Sequence, residues 1–119
     1  MSKAEIFLPW PDKRLSPNAR VHWRALAHAK KMARKIAFYT VKEAGIGKID
    51  ADSVLVRYSF FPPSQRRYDM DNLIASMKAA GDGIADAIGI DDGAWTLAIA
   101  PRGPVERNGM VKVELEWPA

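Results

Sequence analysis

The chain has 119 residues and a formal net charge of +4, with 48% hydrophobic and 27% charged residues. These values are typical of one soluble globular domain, because this length supports one hydrophobic core but not two. The sequence has no cysteine and no apolar run near the ~20 residues that span a bilayer. We therefore expect a single domain over residues 1–119, cytoplasmic, with no membrane partner and no small-molecule cofactor.

Basic side chains are distributed unevenly along the chain. No acidic residue occurs from Arg14 to Lys42, whereas the acids gather between residues 69 and 92 and near the C-terminus. Such an asymmetry favours a polyanionic partner such as nucleic acid.

The first half of the chain predicts one strand and one long helix. The strand covers residues 4–8 and is closed by prolines, and the helix covers residues 18–44 and is ended by Gly45 and Gly47. The residues expected on its buried side are Leu26, Ala29, Ala33, Ile36 and Thr40.

Another face of this helix carries a basic ridge, formed by Arg24, His28, Lys31, Lys35 and Lys42. We interpret Arg24, Lys31 and Lys35 as candidate contacts to DNA phosphates. The alternative is an ordinary solvated helix face, and the pattern favours neither. A histidine metal site is not expected, because His22 and His28 are six residues apart and lie on opposite sides of a helix.

The second half predicts three strands and one more helix. The strands cover residues 53–61, 94–100 and 111–117, and a helical segment follows Asp71. The element order is therefore β-α-β-α-β-β. It indicates an α+β domain with a mixed or antiparallel sheet and helices packed on one face.

The helical segment after Asp71 has two distinct faces. Asp71, Lys78 and Asp82 share a narrow polar stripe, because seven and eleven residues are close to whole numbers of helical turns. Glycines at 81 and 83 weaken the case for an unbroken helix. The opposite, apolar face consists of Leu73, Ile74, Met77, Ala80, Ile84 and Ile88.

Asp69 and Asp71 stand one residue apart at the end of an apolar strand. In an extended chain both carboxylates point to the same side and Met70 points to the core. At about 4 to 5 Å they would repel by roughly 3 to 4 kcal/mol. Either a shared cation or a proton on one carboxylate relieves this repulsion. Oxygen ligands of this kind suit Mg²⁺ or Mn²⁺ better than zinc.

A second aspartate pair follows the helix. Gly89 is a plausible helix stop, and Asp91, Asp92 and Gly93 form a turn into the third strand. Successive residues of an extended chain face opposite ways. We therefore expect only one of the two aspartates to join the first pair, while the other caps the turn or supports the site.

Helix capping is the structural alternative for the first pair. Asp-x-Asp is frequent by chance, and Asp71 and Asn72 are both good N-cap residues. The metal interpretation depends on the combination of both aspartate pairs with the polar stripe between them.

The segments RRYDMDNL, KAAGDGI and IDDGAW together resemble the signature of the RusA family of Holliday junction resolvases. That pattern is a D-x-D-N-L box, a lysine and an aspartate on the next helix, and a D-D pair opening the next strand. IFLPWP is similar to the family's first strand and proline-rich turn. The specific part of the likeness covers residues 66–95.

The resemblance implies a homodimeric, Mg²⁺-dependent endonuclease that nicks branched DNA, with Mn²⁺ as a possible substitute. The metal-binding carboxylates implied are Asp69, Asp71 and Asp92, with Asp91 beside them. These ions would activate water and neutralise charge on the scissile phosphate.

The catalytic lysine implied is Lys78. The family lysine usually lies four residues after the second aspartate, where this chain has Ala75, and a three-residue insertion restores the match. Arg66 and Arg67 precede the first aspartate, and we interpret them as DNA phosphate contacts rather than simple charge balance.

Two other classes of function stay open from the sequence. One is a nucleic-acid-binding module of the same fold with weak or no catalysis, which the displaced lysine allows. The other is an interaction protein whose acidic cluster is a structural calcium site.

Overall fold

The computed structural model describes residues 1–118. Seven regular elements follow one another in the chain: β1 (Ser2–Pro9), α1 (Trp23–Glu43), β2 (Val54–Phe61), α2 (Met70–Ser76), α3 (Lys78–Ile88), β3 (Trp95–Ile99) and β4 (Met110–Trp117). Two short 3-10 turns, Lys13–Leu15 and Asp92–Ala94, stand before α1 and β3. This order confirms the predicted succession of strands and helices, with the second helix divided in two.

The four strands form one mixed sheet in the order β1-β4-β2-β3. β4 pairs antiparallel with β1 and with β2, while β2 and β3 are parallel. The register places Val113 between Ile6 of β1 and Tyr58 of β2. The predicted α+β class with a mixed sheet is confirmed.

The core lies between one face of the sheet and the helices. The sequence pattern that produces this core is clearest in β4, where Val111, Val113 and Leu115 are fully buried and alternate with charged residues. Residues two apart share one face of a strand, and each buried aliphatic side chain contributes about 1.5 to 3 kcal/mol. Ile84 and Ile88 of α3 complete this core from the helical side.

The long helix differs in detail from its prediction. α1 begins at Trp23 rather than at residue 18, and its buried residues are Ala29, Ala37 and Val41. Ile36, predicted to be buried, is 40% exposed. The buried face is rotated because α3 approaches α1 at Gly83, where any Cβ would collide with the carbonyl oxygen of Arg34. Small side chains are therefore required on that face of α1.

The second helix is interrupted at a different place from the one predicted. The interruption is at Met77, between α2 and α3, whereas Gly81 and Gly83 lie inside α3. A Cβ on Gly81 would lie 3.3 Å from the Tyr58 hydroxyl and 3.6 Å from the Trp95 ring, so glycine allows both side chains to pack closely on α3. Both glycines thus allow close packing instead of breaking the helix. None of the helices in residues 1–118 has the length and apolar composition needed to cross a membrane.

Candidate functional site

Asp69 and Asp71 stand at the beginning of α2. The Asp69 carboxylate accepts a hydrogen bond from the backbone N–H of Asn72 at 3.2 Å, and it is the N-cap of the helix. Asp71 is in the first helical turn and exposed. The expected extended pair is wrong, because the helix begins at Met70, and residues two apart on a helix point about 200° apart.

Capping therefore accounts for one member of the first aspartate pair. The capping residue is Asp69, not Asp71 or Asn72 as the sequence suggested. Met70 does pack against the core, as expected. A carboxylate at an N-cap also interacts favourably with the positive end of the helix dipole.

Lys78 opens α3 and joins two parts of the acidic motif. Its ammonium group donates to Asp82 Oδ1 at 3.0 Å and to Asp92 Oδ2 at 2.5 Å. The Asp92 carboxylate, and secondarily that of Asp82, raises the pKa of Lys78 above its usual range. Of the predicted stripe of Asp71, Lys78 and Asp82, the i,i+4 pair of Lys78 and Asp82 is confirmed. Asp71 does not belong to it, because it lies in α2, a separate helix.

The two residues of the second aspartate pair, Asp91 and Asp92, have different roles. The Asp91 carboxylate caps the 3-10 turn by accepting from the backbone N–H of Gly93 at 3.0 Å. Asp92 instead bonds to Lys78, fourteen residues earlier in the chain. The expectation that one aspartate would cap the turn is confirmed, and Asp92 is the one directed toward the candidate site. The stop of α3 at Gly89 is also confirmed, with a φ of 77°.

The carboxylates predicted to share a metal ion do not form one cluster. Among residues 1–118, no three side chains of histidine, cysteine, aspartate or glutamate lie close enough together to hold an ion. Asp69 lines one cleft, whereas Asp92 lines a separate pocket beside Lys78. As they are placed here, Asp69, Asp71 and Asp92 do not fit a three-carboxylate metal centre.

A basic cleft of about 870 Å³ runs along the start of α2. Lys13, Arg14, Arg66 and Arg67 line it together with Asp69. Asp12 also lines the cleft and forms an ion pair with Arg14 at 2.8 Å, so four basic and two acidic side chains face this space. The two arginines predicted to contact phosphates are in this cleft, and the first two cations were not identified from the sequence.

Tyr68 holds the wall of this basic cleft together. The Arg66 and Arg102 guanidinium groups lie 4.6 and 5.5 Å from its ring centre, and Trp10 meets the ring edge-on at 5.2 Å. Arg102 also donates to the backbone carbonyls of Arg66 and Ser64, at 2.9 and 3.0 Å. The loop that carries the two arginines is thus held by a residue far away in sequence.

A second basic groove, of about 410 Å³, lies between α1 and α3. Lys30, Lys31, Arg34 and Lys78 line it, with Asp82 as an acidic neighbour. From the predicted ridge on α1, only Lys31 is in this groove. Arg24 and Lys35 are exposed elsewhere on the helix. Proximity to Lys78 makes this groove a second candidate path for a phosphate backbone.

Tyr58 is a candidate site residue that the sequence did not reveal. Tyr58 lies inside β2, and it lines a pocket of about 310 Å³ together with Lys78 and Asp92. Burial, and secondarily the charge of Asp92, raises the pKa of Tyr58 to about 12. Its hydroxyl is therefore a neutral hydrogen-bond donor at physiological pH. The available signal was a polar end group on the strand face that otherwise carries Val54, Val56 and Phe60.

Comparison with known proteins identifies similarity but no function. No protein-family profile matches the chain. A stretch of 95 residues is 45% identical to an uncharacterized protein of Xylella fastidiosa, covering 73% of this chain and 59% of that protein. The chain thus spans about three fifths of the length of this relative.

Proposed function

We propose that this protein is a structure-selective endodeoxyribonuclease that cuts four-way (Holliday) junctions or similar branched DNA by phosphodiester hydrolysis. The observation that carries the proposal is the contact of Lys78, which lines the second basic groove, with Asp92 in the neighbouring pocket. It brings the second and third segments of the RusA-like motif together in space. The first segment lines the adjoining cleft through Asp69.

The charges of the two grooves support a DNA substrate. Cationic side chains line both, and the two grooves share Ser76 of α2 as a lining residue. Each phosphate that such a side chain neutralises releases counterions, so binding should weaken steeply as salt rises. The basic ridge of α1 adds Arg24 and Lys35 as outer contacts to the backbone.

Lys78 and Tyr58 are suited to the chemistry at the scissile phosphate. A fixed ammonium group and a neutral hydroxyl can both stabilise negative charge that grows on phosphate oxygens in the transition state. Because the pKa of Lys78 is raised, this residue is cationic throughout the physiological range. We therefore assign Lys78 to electrostatic stabilisation of the transition state rather than to general-base catalysis.

The proposal includes a requirement for Mg²⁺, or for Mn²⁺ in its place. Only the resemblance to the RusA family supports this requirement. Asp69, Asp71 and Asp92 would be the ligands of this ion, with Asp91 beside them. These carboxylates would have to come together from the positions described above. The proposal also includes a homodimer, since a two-fold assembly presents two equivalent sites to a two-fold junction.

The direct test is nicking of a labelled synthetic four-way junction in the presence of Mg²⁺. We expect paired nicks from the natural protein and a loss of at least about 10- to 100-fold in Asp71→Asn. This change removes a carboxylate proposed as a metal ligand, and even outer-shell changes at a metal site cost that much. Glu43→Gln is the matched control, because it removes an exposed carboxylate at the end of α1. Equal loss in both variants would contradict the assignment.

A nucleic-acid-binding module without catalysis is the second candidate. The observation that favours it is the absence of a three-carboxylate group within residues 1–118. In the same assay this candidate predicts tight, salt-dependent binding of the junction and no nicks with either Mg²⁺ or Mn²⁺.

A further inference from the structure

Trp23 differs from the other tryptophans of the chain. It is 68% exposed at the first residue of α1. Trp10, Trp95 and Trp117 are instead partly buried and packed against the core. Core packing therefore accounts for three of the four indole rings and leaves Trp23 without a structural role.

The surroundings of Trp23 hold its ring in a defined place. The His22 ring caps the helix, since its Nδ1 accepts from the backbone N–H of Arg24 at 3.1 Å. The Trp23 ring stacks on this histidine, with ring centres 5.6 Å apart and an angle of 29° between the planes. The Arg24 guanidinium lies 5.2 Å from the centre of the indole. An exposed aromatic surface is thus positioned next to a cation.

The charges around Trp23 favour a polyanionic partner. Arg20 and Arg24 are both exposed on either side of it in sequence, and the chain has no acid from residue 14 to 42. Val21, two residues earlier, lines the 870 Å³ basic cleft. A flat apolar ring that lies beside a cation, two residues along the chain from the lining of a basic cleft, matches a nucleobase attached to a phosphate backbone.

We propose that Trp23 stacks on an unpaired base of a DNA strand whose backbone follows the basic cleft, and that Arg24 binds an adjoining phosphate. This inference rests on the DNA-binding part of the proposed function and is independent of cleavage. It names the substrate feature that the protein recognises: a base freed from pairing, as at a branch point.

The test compares binding of a labelled single strand with binding of a blunt duplex of related sequence, by fluorescence anisotropy. We expect Trp23→Ala to weaken single-strand binding about 10-fold, the scale of base–aromatic stacking, and Trp23→Phe to retain most of the affinity. Duplex affinity should change by less than about 2-fold, because paired bases offer no open face. Arg24→Gln should weaken both and reduce the salt slope by about 1.

Tyr39→Ala is the matched control, because Tyr39 is also an aromatic residue of α1 and is 53% exposed. It should leave both affinities unchanged. The inference is overturned if Trp23→Ala binds the single strand as tightly as the natural protein, or if it weakens duplex and single strand equally. It is also overturned if Trp23→Ala changes the mass of the free protein in sedimentation, since the ring would then contact another copy.

These outcomes are separable from the fate of the nuclease proposal. If the junction is bound but never nicked, while Trp23→Ala selectively loses single-strand binding, only the nuclease proposal fails. If nicking occurs and Trp23→Ala has no selective effect, only the stacking proposal fails.

Discussion

The two aspartate pairs of the motif are organised by different forces. The first pair is governed locally, since Asp69 caps α2 and Asp71 follows in its first turn. The second pair is linked to a distant part of the chain, because Asp92 bonds to Lys78 of α3. Helix capping explains Asp69 without any function. An exposed ion pair between separate elements, such as that of Asp92, is a weak source of stability. The functional proposal therefore depends mainly on Asp92 and its bond to Lys78.

The sharpest way to test this difference is to remove Lys78. Lys78→Met should lower single-turnover cleavage by roughly 100- to 1000-fold, as for a group that stabilises transition-state charge. Its thermal stability should fall by at most about 1 kcal/mol, since the pair is exposed. Junction affinity, measured alongside, should change by only a few-fold. A variant that cleaves normally would show that the ion pair has no role in the reaction.

The position of Lys78 depends on how α3 is docked to α1. Gly83→Ala should destabilise the fold by about 3 kcal/mol or more, because the new methyl group would meet backbone rather than a movable side chain. Gly47→Ala is the control, since nothing lies within 4 Å of a Cβ there and its φ is not positive. Denaturant titration of both variants measures the difference. Equal stabilities would mean that the contact at Gly83 is not tight.

A pair of substitutions at Asp69 separates capping from chemistry. Asp69→Ala removes the cap and should cost about 1 kcal/mol, whereas Asp69→Asn keeps a good capping group and should cost much less. If Asp69 also acts in catalysis, both variants should lose cleavage. Retained activity in Asp69→Asn would show that the first aspartate is a cap only.

The smallest expected effect concerns pH. The Asp92 and Asp82 carboxylates raise the pKa of Lys78 above its ordinary 10.5. When folding raises a lysine's pKa, its ion pair contributes fully to folding stability at any pH below the unfolded-state pKa. That contribution is lost only as pH rises through the folded-state pKa. The difference in melting temperature between the natural protein and Lys78→Met should therefore stay constant from pH 7 to about 10. A difference that disappears within that range would contradict the raised pKa.

The elements that were predictable from sequence are those that a local pattern determines. The alternation of apolar and charged residues predicted β4, and the glycine after α3 predicted where that helix ends. Both are local properties: side chains of a strand alternate between two faces, and a glycine in the left-handed conformation ends a helix. The buried face of α1 was misplaced because it depends on the approach of Gly83, which belongs to another helix.

The candidate site was predictable only where one segment contains the contact. The Lys78 and Asp82 pair follows from spacing along one helix. The bond from Lys78 to Asp92 was not predicted, because the resemblance grouped Asp92 with Asp69 and Asp71. Tyr58 and the wall of the basic cleft were not predictable. Arg102 reaches the loop of Arg66 from thirty-six residues away, and no local pattern encodes such a contact.

The most direct measurement is single-turnover cleavage of a four-way junction by the natural protein and by Asp92→Asn, with Mg²⁺ present. The account predicts paired nicks from the natural protein and their near-complete loss in the variant, with junction affinity retained in both. Tight binding of the junction by the natural protein without any nick, in Mg²⁺ and again in Mn²⁺, would contradict it.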